Sequence, residues 1–180
     1  MDTMQYTHLY RSPLGTITLA ADSEGLTGLW FEGQKYLAAT LDAQHEETML
    51  PIFEQTRRWL DNYFGGNDPG PTPPLHLQGS PFRLAVWEIL RQIPFGKTIT
   101  YGEIAREIAR RQGSKTVPAQ AVGGAVGHNP VSIIVPCHRV VGSNGSLTGY
   151  AGGIERKVRL LALEKADMTG LFAPQKGTAL

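Results

Sequence analysis

The single cysteine of the chain, Cys137, stands directly before His138 and between two short apolar runs. A thiolate is a strong nucleophile, but a free cysteine with an ordinary pKa of about 8.5 is only slightly ionised at neutral pH. A cysteine that attacks a substrate therefore needs a base, and the adjacent imidazole is a candidate. Neighbouring side chains of an extended chain point to opposite faces, so such a pair needs a bent backbone or a bridging water molecule. A cysteine among apolar residues is by default a small buried hydrophobe, and the residues alone leave both interpretations open.

Metal chemistry is poorly indicated by the remaining ligand-type residues. The other histidines are widely scattered and share no recognised ligand spacing with the cysteine: His8, His45, His76 and His128. We therefore predict no metal and no cofactor. The apolar run at residues 133 to 135 predicts a strand that Pro136 ends, which would put the thiol at a strand end.

The formal net charge of +1 conceals an uneven distribution along the chain. Residues 1 to 80 carry 4 Lys and Arg against 10 Asp and Glu, whereas residues 81 to 165 carry 12 against 5. A basic second part favours a polyanion as its partner, unless the division merely reflects solvated surface charge. A single cysteine cannot form an internal disulfide, and no signal peptide or membrane span is recognisable, so we expect a cytoplasmic protein without a membrane partner.

Residues 1 to 75 are predicted to form a small α/β domain. Strand-forming segments joined by tight turns predict an antiparallel meander over residues 5 to 10, 16 to 21 and 26 to 31. A helical apolar stripe follows between Thr48 and Phe64, and Gly65 and Gly66 are its expected end. The prolines within residues 67 to 75 exclude a helix or a central strand, so this segment is predicted to be the linker between two domains.

Residues 76 to 165 are predicted to form a mostly helical domain. Helices are predicted over residues 81 to 93, 102 to 112, 119 to 127 and 154 to 164. The second and third of these are short, joined by a brief turn and located in the basic part, which indicates a helix-turn-helix. Residues 166 to 180 have no periodicity and are predicted to be a tail.

Two adjacent glycines, Gly123 and Gly124, lie inside the third predicted helix of this domain. Each costs about 1 kcal/mol relative to alanine in a helix interior. Their small size should therefore permit a close approach, either to the first helix of the same domain or to a nucleic-acid groove. Helix rules alone do not separate these two interpretations.

The sequence around Cys137 resembles the O6-alkylguanine-DNA alkyltransferases, also called methylated-DNA–protein-cysteine methyltransferases. Pro-Cys-His-Arg-Val at residues 136 to 140 is similar to the active-site motif of that family. The likeness continues in order at residues 82 to 87, 93 to 96, 100 to 105, 121 to 125, 129 to 130, 149 to 153 and 160 to 164. It implies an α/β protein with a small antiparallel-sheet domain containing a helix, followed by a mostly helical, winged helix-turn-helix-like domain.

The resemblance implies direct, single-turnover repair of double-stranded DNA that carries O6-alkylguanine. Cys137 would attack the alkyl carbon on a guanine flipped out of the duplex and would keep the alkyl group as a thioether. His138 would act as a base through a water molecule, Glu164 would orient His138, and Tyr101 would donate toward the guanine ring. The protein is expected to act as a monomer. Whether O4-alkylthymine is also a substrate stays open.

Further residues match substrate-binding or DNA-binding positions of the family: Asn129, Tyr150, Ala151, Val140, Gln120, Ala121, Gly123, Gly124, Arg139 and Lys115. Asn129 is expected to brace the segment before the active site, and Tyr150 to close one wall of the alkyl pocket. Many members have an arginine where this chain has Gln120, which can still hydrogen-bond in the gap left by a flipped base but supplies no charge. Arg139 and Lys115 are candidates for phosphate contacts, and a structural role inside the motif is the alternative for Arg139.

Two other functions stay open at this level. A turning-over cysteine hydrolase could use Cys137 and His138, and a helix-turn-helix protein without chemistry could bind DNA lesions. The related alkyltransferase-like proteins lack the acceptor cysteine, so the presence of Cys137 argues against that class.

Overall fold

The computed structural model describes residues 4 to 174, and the chain divides into two compact units. The first unit comprises Met1–Gln78 together with Pro130–Ile134, and the second comprises Gly79–Asn129 and Val135–Leu180. The short segment Pro130–Ile134 thus packs with the first unit, although no linker signal surrounds it. Over the described residues, none of the helices combines the length and the apolar character that a membrane crossing requires.

A four-stranded sheet in the order β3-β2-β1-β4 forms the centre of the first unit. The strands β1 (Gln5–Ser12), β2 (Gly15–Ala21) and β3 (Leu26–Phe31) pair antiparallel and confirm the predicted meander. The short strand β4 (His45–Glu47) pairs in parallel with β1 and was not predicted, because its exposed polar residues carry no apolar pattern.

The helix α1 (Pro51–Phe64) supplies the predicted apolar stripe of the first unit. It begins at Pro51 rather than near Thr48, because proline is suited to the first helical position. Its buried face consists of Phe53, Thr56, Trp59, Leu60 and Tyr63. The expected end at Gly65 is confirmed, and Gly66 follows with φ of 89°.

The proline-rich linker is bound to the first unit by backbone hydrogen bonds. Leu26 N donates to Pro74 O at 2.9 Å, and His76 N donates to Leu26 O at 2.8 Å. Gly25 permits this close approach, since a Cβ there would lie 2.8 Å from the Pro74 carbonyl oxygen.

Four α-helices and a small parallel strand pair form the second unit as far as it is described: α2 (Pro81–Arg91), α3 (Tyr101–Gln112), α4 (Ala119–Gly127), α5 (Ile154–Leu163), β5 (Ile99–Thr100) and β6 (Val140–Val141). The predicted helices are confirmed to within two residues. Ser80 caps α2 by accepting from the Arg83 amide, and a capping box of Thr100 and Glu103 begins α3. Gly113 ends α3 in the left-handed conformation, with φ of 67°. The predicted fold class is therefore confirmed.

The strand predicted before Cys137 is wrong, because residues 132 to 134 form a buried turn and residue 135 a bend. Ile134 N donates to Ser132 O at 2.8 Å, and Ile133 has φ of 69°, a left-handed value that is rare for a β-branched residue. A short apolar run is compatible with any buried segment, so the composition alone could not distinguish a turn from a strand.

The expected tail after Lys165 is wrong for residues 166 to 174, which pack onto the second unit. Leu147 N donates to Phe172 O at 2.9 Å, and Phe172 N donates to Gly145 O at 3.0 Å. Ala166 is buried in one cluster with Val141, Leu147 and Leu161. The apolar residues of this segment follow no helix or strand periodicity, so only its tertiary contacts reveal its place. The rest of the predicted tail, residues 175 to 180, lies outside the described residues.

Candidate active site

Cys137, His138 and Arg139 form a single turn of 3₁₀ helix directly after Pro136. Cys137 N donates to Val135 O at 2.8 Å, and Arg139 N donates to Pro136 O at 3.0 Å. All three side chains are buried. The chain is bent at this point, so the rule that places neighbouring side chains on opposite faces does not apply to Cys137 and His138.

The environment of the Cys137 thiol contains opposing influences on its ionisation. Burial raises the pKa of Cys137, because the thiolate loses its hydration. A hydrogen bond from the Asn129 side chain and the positive charge of Lys157 act in the opposite direction. Asn129 is itself buried and donates through Nδ2 to Val135 O at 2.7 Å, so it fixes the backbone that leads into Cys137.

A buried hydrogen-bonded chain joins His138, Glu164 and Arg139. His138 Nε2 lies 2.5 Å from Glu164 Oε2, and Arg139 Nε donates to Glu164 Oε1 at 2.7 Å. The Gly96 amide also donates to Oε1, at 2.9 Å. Burial by itself raises the pKa of Glu164, but the hydrogen bonds and charges of His138 and Arg139 outweigh it and hold that pKa well below its ordinary value. Glu164 is therefore an ionised carboxylate at neutral pH.

His138 is the neutral partner of this carboxylate. Burial lowers the pKa of His138, although Glu164 opposes the shift by favouring the imidazolium. An ionised carboxylate only accepts hydrogen bonds, so the proton of the neutral ring resides on Nε2 and points to Glu164. The Nδ1 atom of this tautomer is the basic nitrogen, and Glu164 would stabilise the imidazolium formed when Nδ1 takes up a proton.

Arg139 has an internal role in this geometry. Its NH1 group donates to Ile93 O at 2.7 Å, and its guanidinium carbon lies 5.8 Å from the centroid of the Phe95 ring. With Glu164 also bound, the guanidinium connects the cysteine turn to the loop after α2. The phosphate contact expected of Arg139 does not fit this arrangement, because its side chain is only 9% exposed and is directed to internal acceptors.

Two tyrosines of the predicted site flank the cysteine turn. Tyr101 is the first residue of α3, and its hydroxyl donates to Thr148 O at 3.3 Å. Burial raises the pKa of Tyr101, and negative charge on Cys137 raises it further, so this phenol stays protonated. The Tyr150 ring stands edge-on to the His138 imidazole, with a centroid separation of 6.4 Å. Ala151, which follows it, is half-buried.

Lys157 is the residue of this site that sequence reasoning missed. Its side chain is fully buried, and Nζ donates to Val140 O at 2.5 Å and to Thr148 O at 3.2 Å. Burial lowers the pKa of Lys157 to about 8, while negative charge on Cys137 raises it in opposition. The predicted site residue Val140 thus contributes its carbonyl here, while its side chain lies in the core.

A sequence signal for Lys157 was present in the spacing of α5. Lys157, Leu160, Leu161 and Glu164 recur at the intervals of one helix face, and all of them are buried. Lys157 lies in a run of charged residues, which is typical of a solvated face. The charged neighbours therefore made its place on the buried helix face hard to recognise from the sequence.

The predicted DNA-binding residues of α4 separate into two faces. Gln120, Ala121 and Gly124 are exposed, whereas Gly123 is buried on the inner face. A Cβ added at Gly124 would meet no atom within 4 Å, so packing within the chain does not explain this glycine. Gly123 is accordingly a packing residue, and the expectation that it faces DNA does not fit its burial.

The inner face of α4 is fixed to α2 through a buried indole. Trp87 Nε1 donates to Ala125 O at 2.8 Å. Lys115 lies exposed in the loop between α3 and α4. The exposed face of α4 and this loop are therefore both available to an external partner.

Two models of one protein family match most of the chain. The model described as the 6-O-methylguanine DNA methyltransferase DNA-binding domain matches residues 81 to 166, and the model of the ribonuclease-like domain of the same methyltransferase matches residues 5 to 75. The chain belongs to this methyltransferase family. The first matched range contains Cys137, His138 and Glu164.

Relatives of the chain in this methyltransferase family match over nearly the whole length. The methylated-DNA–protein-cysteine methyltransferase of Haemophilus influenzae is 42% identical over 166 residues, covering 92% of this chain and 88% of that protein. The protein of the same name from Methanosarcina acetivorans is 42% identical over 161 residues, covering 88% and 97%. Among solved structures, Mycobacterium tuberculosis OGT in complex with DNA is similar with a TM-score of 0.75 and 40% identity, covering 94% of this chain and 99% of that one. The chain is thus a methyltransferase of the methylated-DNA–protein-cysteine class.

Proposed function

We propose that the protein repairs DNA directly by transferring an alkyl group from O6 of guanine to Sγ of Cys137, once per molecule. The observation that carries this proposal is the buried hydrogen-bonded chain of Arg139, Glu164 and His138. Arg139 and His138 lie in the same bent turn as Cys137. Such a chain supplies a base without placing a permanent charge next to the thiol. The names of the relatives and the DNA complex of the Mycobacterium tuberculosis structure support the assignment of DNA as substrate.

The transfer is an in-line displacement at the alkyl carbon. His138 takes the thiol proton at Nδ1 through a water molecule, and the resulting imidazolium is stabilised by ionised Glu164. The Cys137 thiolate forms the S–C bond while the C–O6 bond breaks and its electron pair passes to the guanine. Tyr101 gives its phenolic proton to the guanine ring, so the base leaves neutral. The phenolate is then reprotonated by the proton that His138 took from the thiol, so in the net reaction the thiol proton passes to guanine.

The reaction is expected to consume the protein. A thioether is not displaced by a second thiol under ordinary conditions, and the chain contains no second cysteine. All the groups named for the transfer belong to the second unit of one chain. We infer that a monomer carries it out, and light scattering with and without DNA tests this.

The target base has to leave the duplex to reach a thiol that is only 4% exposed. We infer that the exposed small residues of α4 permit the close approach to the minor groove and that Gln120 occupies the gap left by the flipped base. The Gln120→Ala variant should lose about fivefold in repair of duplex DNA, because one net hydrogen bond contributes about 1 kcal/mol. Its rate with free O6-benzylguanine should change less. Equal losses on both substrates would remove Gln120 from this role.

The deciding experiment is mass spectrometry after mixing the protein with an oligonucleotide duplex containing O6-methylguanine. We expect one methyl adduct on Cys137 and an amount of repaired guanine that never exceeds the amount of protein. Cys137→Ser is the matched control and should bind the duplex without forming an adduct. Repeated turnover would indicate a hydrolase, and bound but unchanged DNA would indicate a binding protein. A parallel duplex containing O4-methylthymine shows whether that lesion is also a substrate.

A further inference from the structure

Residues 166 to 172, which we call the strap, lie against the loop of residues 142 to 148 in the second unit. Phe172 N donates to Gly145 O at 3.0 Å, and Leu147 N donates to Phe172 O at 2.9 Å. Two main-chain hydrogen bonds therefore hold the loop to the strap, one near the middle of the loop and one near its end.

The strap and the loop are also closely packed. Gly145 has φ of 92°, and a Cβ at this position would lie 2.0 Å from Gly170 O, so only glycine permits the approach. On the strap, Met168 and Leu171 are partly buried and pack against the apolar cluster that contains Leu147. Packing and hydrogen bonds thus fix the same part of the loop.

The loop ends at a carbonyl that two groups of the candidate site share. Thr148 O accepts from Lys157 Nζ at 3.2 Å and from the Tyr101 hydroxyl at 3.3 Å. Thr148 directly follows Leu147, whose amide is bound by the strap. A displacement of the strap would therefore move an acceptor of both a buried lysine and a buried tyrosine.

Lys157 depends more strongly on this acceptor than Tyr101 does. A fully buried ammonium has lost its hydration, so its charge has to be supported by acceptors of the protein. Lys157 Nζ donates to the carbonyls of Thr148 and Val140, and Val140 lies on β6, outside the loop. Loss of the Thr148 carbonyl would leave the ammonium with less support and would favour the neutral amine.

We propose that the strap is a positioning element for the Cys137 nucleophile, because it holds the Thr148 carbonyl that keeps the Lys157 ammonium in place. The inference rests on the proposed function for the reaction that this nucleophile performs. The charge of Lys157 favours the thiolate of Cys137 and disfavours the imidazolium of His138, and Tyr101 shares the Thr148 carbonyl. A loosened strap should therefore make the thiolate harder to form.

The test compares two variants of one strap residue. Phe172→Pro removes the amide that donates to Gly145 O, because proline has no N–H group. Phe172→Ala is the matched control, since it keeps this amide and removes only a side chain that is 46% exposed. Each full-length protein reacts with iodoacetamide over a range of pH, and mass spectrometry measures the modification of its single cysteine.

We expect Cys137 of the Phe172→Pro variant to react about fivefold more slowly at neutral pH, which is the effect of about one net hydrogen bond. Its curve of rate against pH should move to higher pH, because a Lys157 that is less often charged lowers the pKa of the thiol less. Phe172→Ala should keep the rate and the curve of the unaltered protein. A lower melting temperature with an unmoved curve, or equal shifts in both variants, would overturn the proposal.

A double variant shows whether the effect passes through Lys157. In the Lys157→Met background, Phe172→Pro should cause no further shift of the curve, because the charge on which the strap acts is already absent. A second shift of the same size would overturn this route. Circular dichroism establishes that each variant is folded. If Phe172→Pro is unfolded, Leu171→Ala, which weakens only the packing of the strap, takes its place and should shift the curve in the same direction.

The strap and the proposed function can fail separately, because iodoacetamide reacts with the thiol without DNA. The methyl adduct on Cys137 is measured on the unaltered protein with the O6-methylguanine duplex. If the strap variant shifts the curve but Cys137 is never methylated, the strap stands and the proposed function fails. If Cys137 is methylated and the curves coincide, only the strap fails.

Discussion

At the scale of single residues, the site contains two pairs of buried ionisable groups whose pKa values depend on each other, Cys137 with Lys157 and His138 with Glu164. Burial opposes the charge on Cys137, Lys157 and Glu164 alike, and each charge is supported only by specific partners. Lys157 supports a thiolate, and Glu164 supports an imidazolium on His138. Glu164 is thus already ionised at neutral pH, whereas the proposed transfer would create the thiolate of Cys137 and the imidazolium of His138 next to groups that stabilise them.

Replacing Lys157 should impair the nucleophile specifically. Lys157→Met removes the positive charge that lowers the pKa of Cys137, so that pKa should rise and the rate with free O6-benzylguanine should fall by about tenfold or more at neutral pH. The rate-against-pH curve should move to higher pH. Arg159→Met, an exposed position on the same helix, is the control. A lower rate with an unmoved pH curve would assign Lys157 a purely structural role.

Glu164 should make folding stability depend on pH in the acid range. Its folded pKa is lowered below the unfolded value of about 4.3, so the stabilisation is present above that pH and is lost as the pH falls through the folded pKa. The melting temperatures of the unaltered protein and of Glu164→Gln should therefore converge as the pH is lowered from about 4.3 towards the folded pKa of Glu164. A difference in melting temperature that stays constant over this range would show that the carboxylate charge does not stabilise the fold.

At the scale of elements, α4 uses its two adjacent glycines for different purposes. Gly123 lies on the face that packs inside the second unit, and Gly124 lies on the open face. The helix is secured by the hydrogen bond from Trp87 to Ala125. Gly123 thus fits the interpretation of close packing within the domain, and Gly124 leaves open the interpretation of a close approach to nucleic acid.

The two glycines provide a matched pair of variants. Gly124→Ala should stabilise the fold by up to about 1 kcal/mol, since the added methyl meets no atom and alanine favours a helix. It should nevertheless weaken duplex binding. Gly123→Ala should lower the stability by about 1 to 3 kcal/mol through overpacking. Chemical denaturation and anisotropy measure both effects, and unchanged duplex binding in Gly124→Ala would show that the open face does not approach DNA closely.

At the scale of the whole molecule, the chemistry and the predicted DNA contacts belong to the second unit, but that unit is not continuous in sequence. Pro130–Ile134 packs with the first unit through hydrogen bonds between Leu29 and residues 130 and 132. This segment connects Asn129 to Val135, the two residues whose hydrogen bond leads into the cysteine turn. The chain that leads into the cysteine turn therefore passes through the first unit.

A fragment of residues 79 to 180 should consequently be less stable and less reactive than the full chain. It would expose Val131, Ile133 and Ile134, which are buried in the complete protein. We expect increased binding of a hydrophobic dye, a lower melting temperature and at least a tenfold slower reaction with free O6-benzylguanine. A fragment with the rate of the full chain would show that Pro130–Ile134 needs no partner.

Much of the fold could be predicted from the sequence, and the role of Cys137 as nucleophile stays a prediction. Strands and helices follow from local periodicity and capping, which is why α2 to α5 and the meander were found with small errors at their ends. The turn at Ile133, the parallel strand β4 and the packed segment after Lys165 could not be predicted, because their apolar or hydrogen-bonding partners lie far away in sequence.

The sequence by itself determined that the chain has one cysteine and therefore no internal disulfide, that the neighbour of this cysteine is a histidine, and that the second part of the chain is basic. Only the tertiary structure decided what those groups can do. In the folded chain Cys137 and His138 share one bent turn, Lys157 is buried beside them, and Arg139 binds Glu164, which favours its structural role over a phosphate contact. The physical reason is that burial and charge pairing fix pKa values and hydrogen-bond partners, and both depend on residues that come together only in the folded chain.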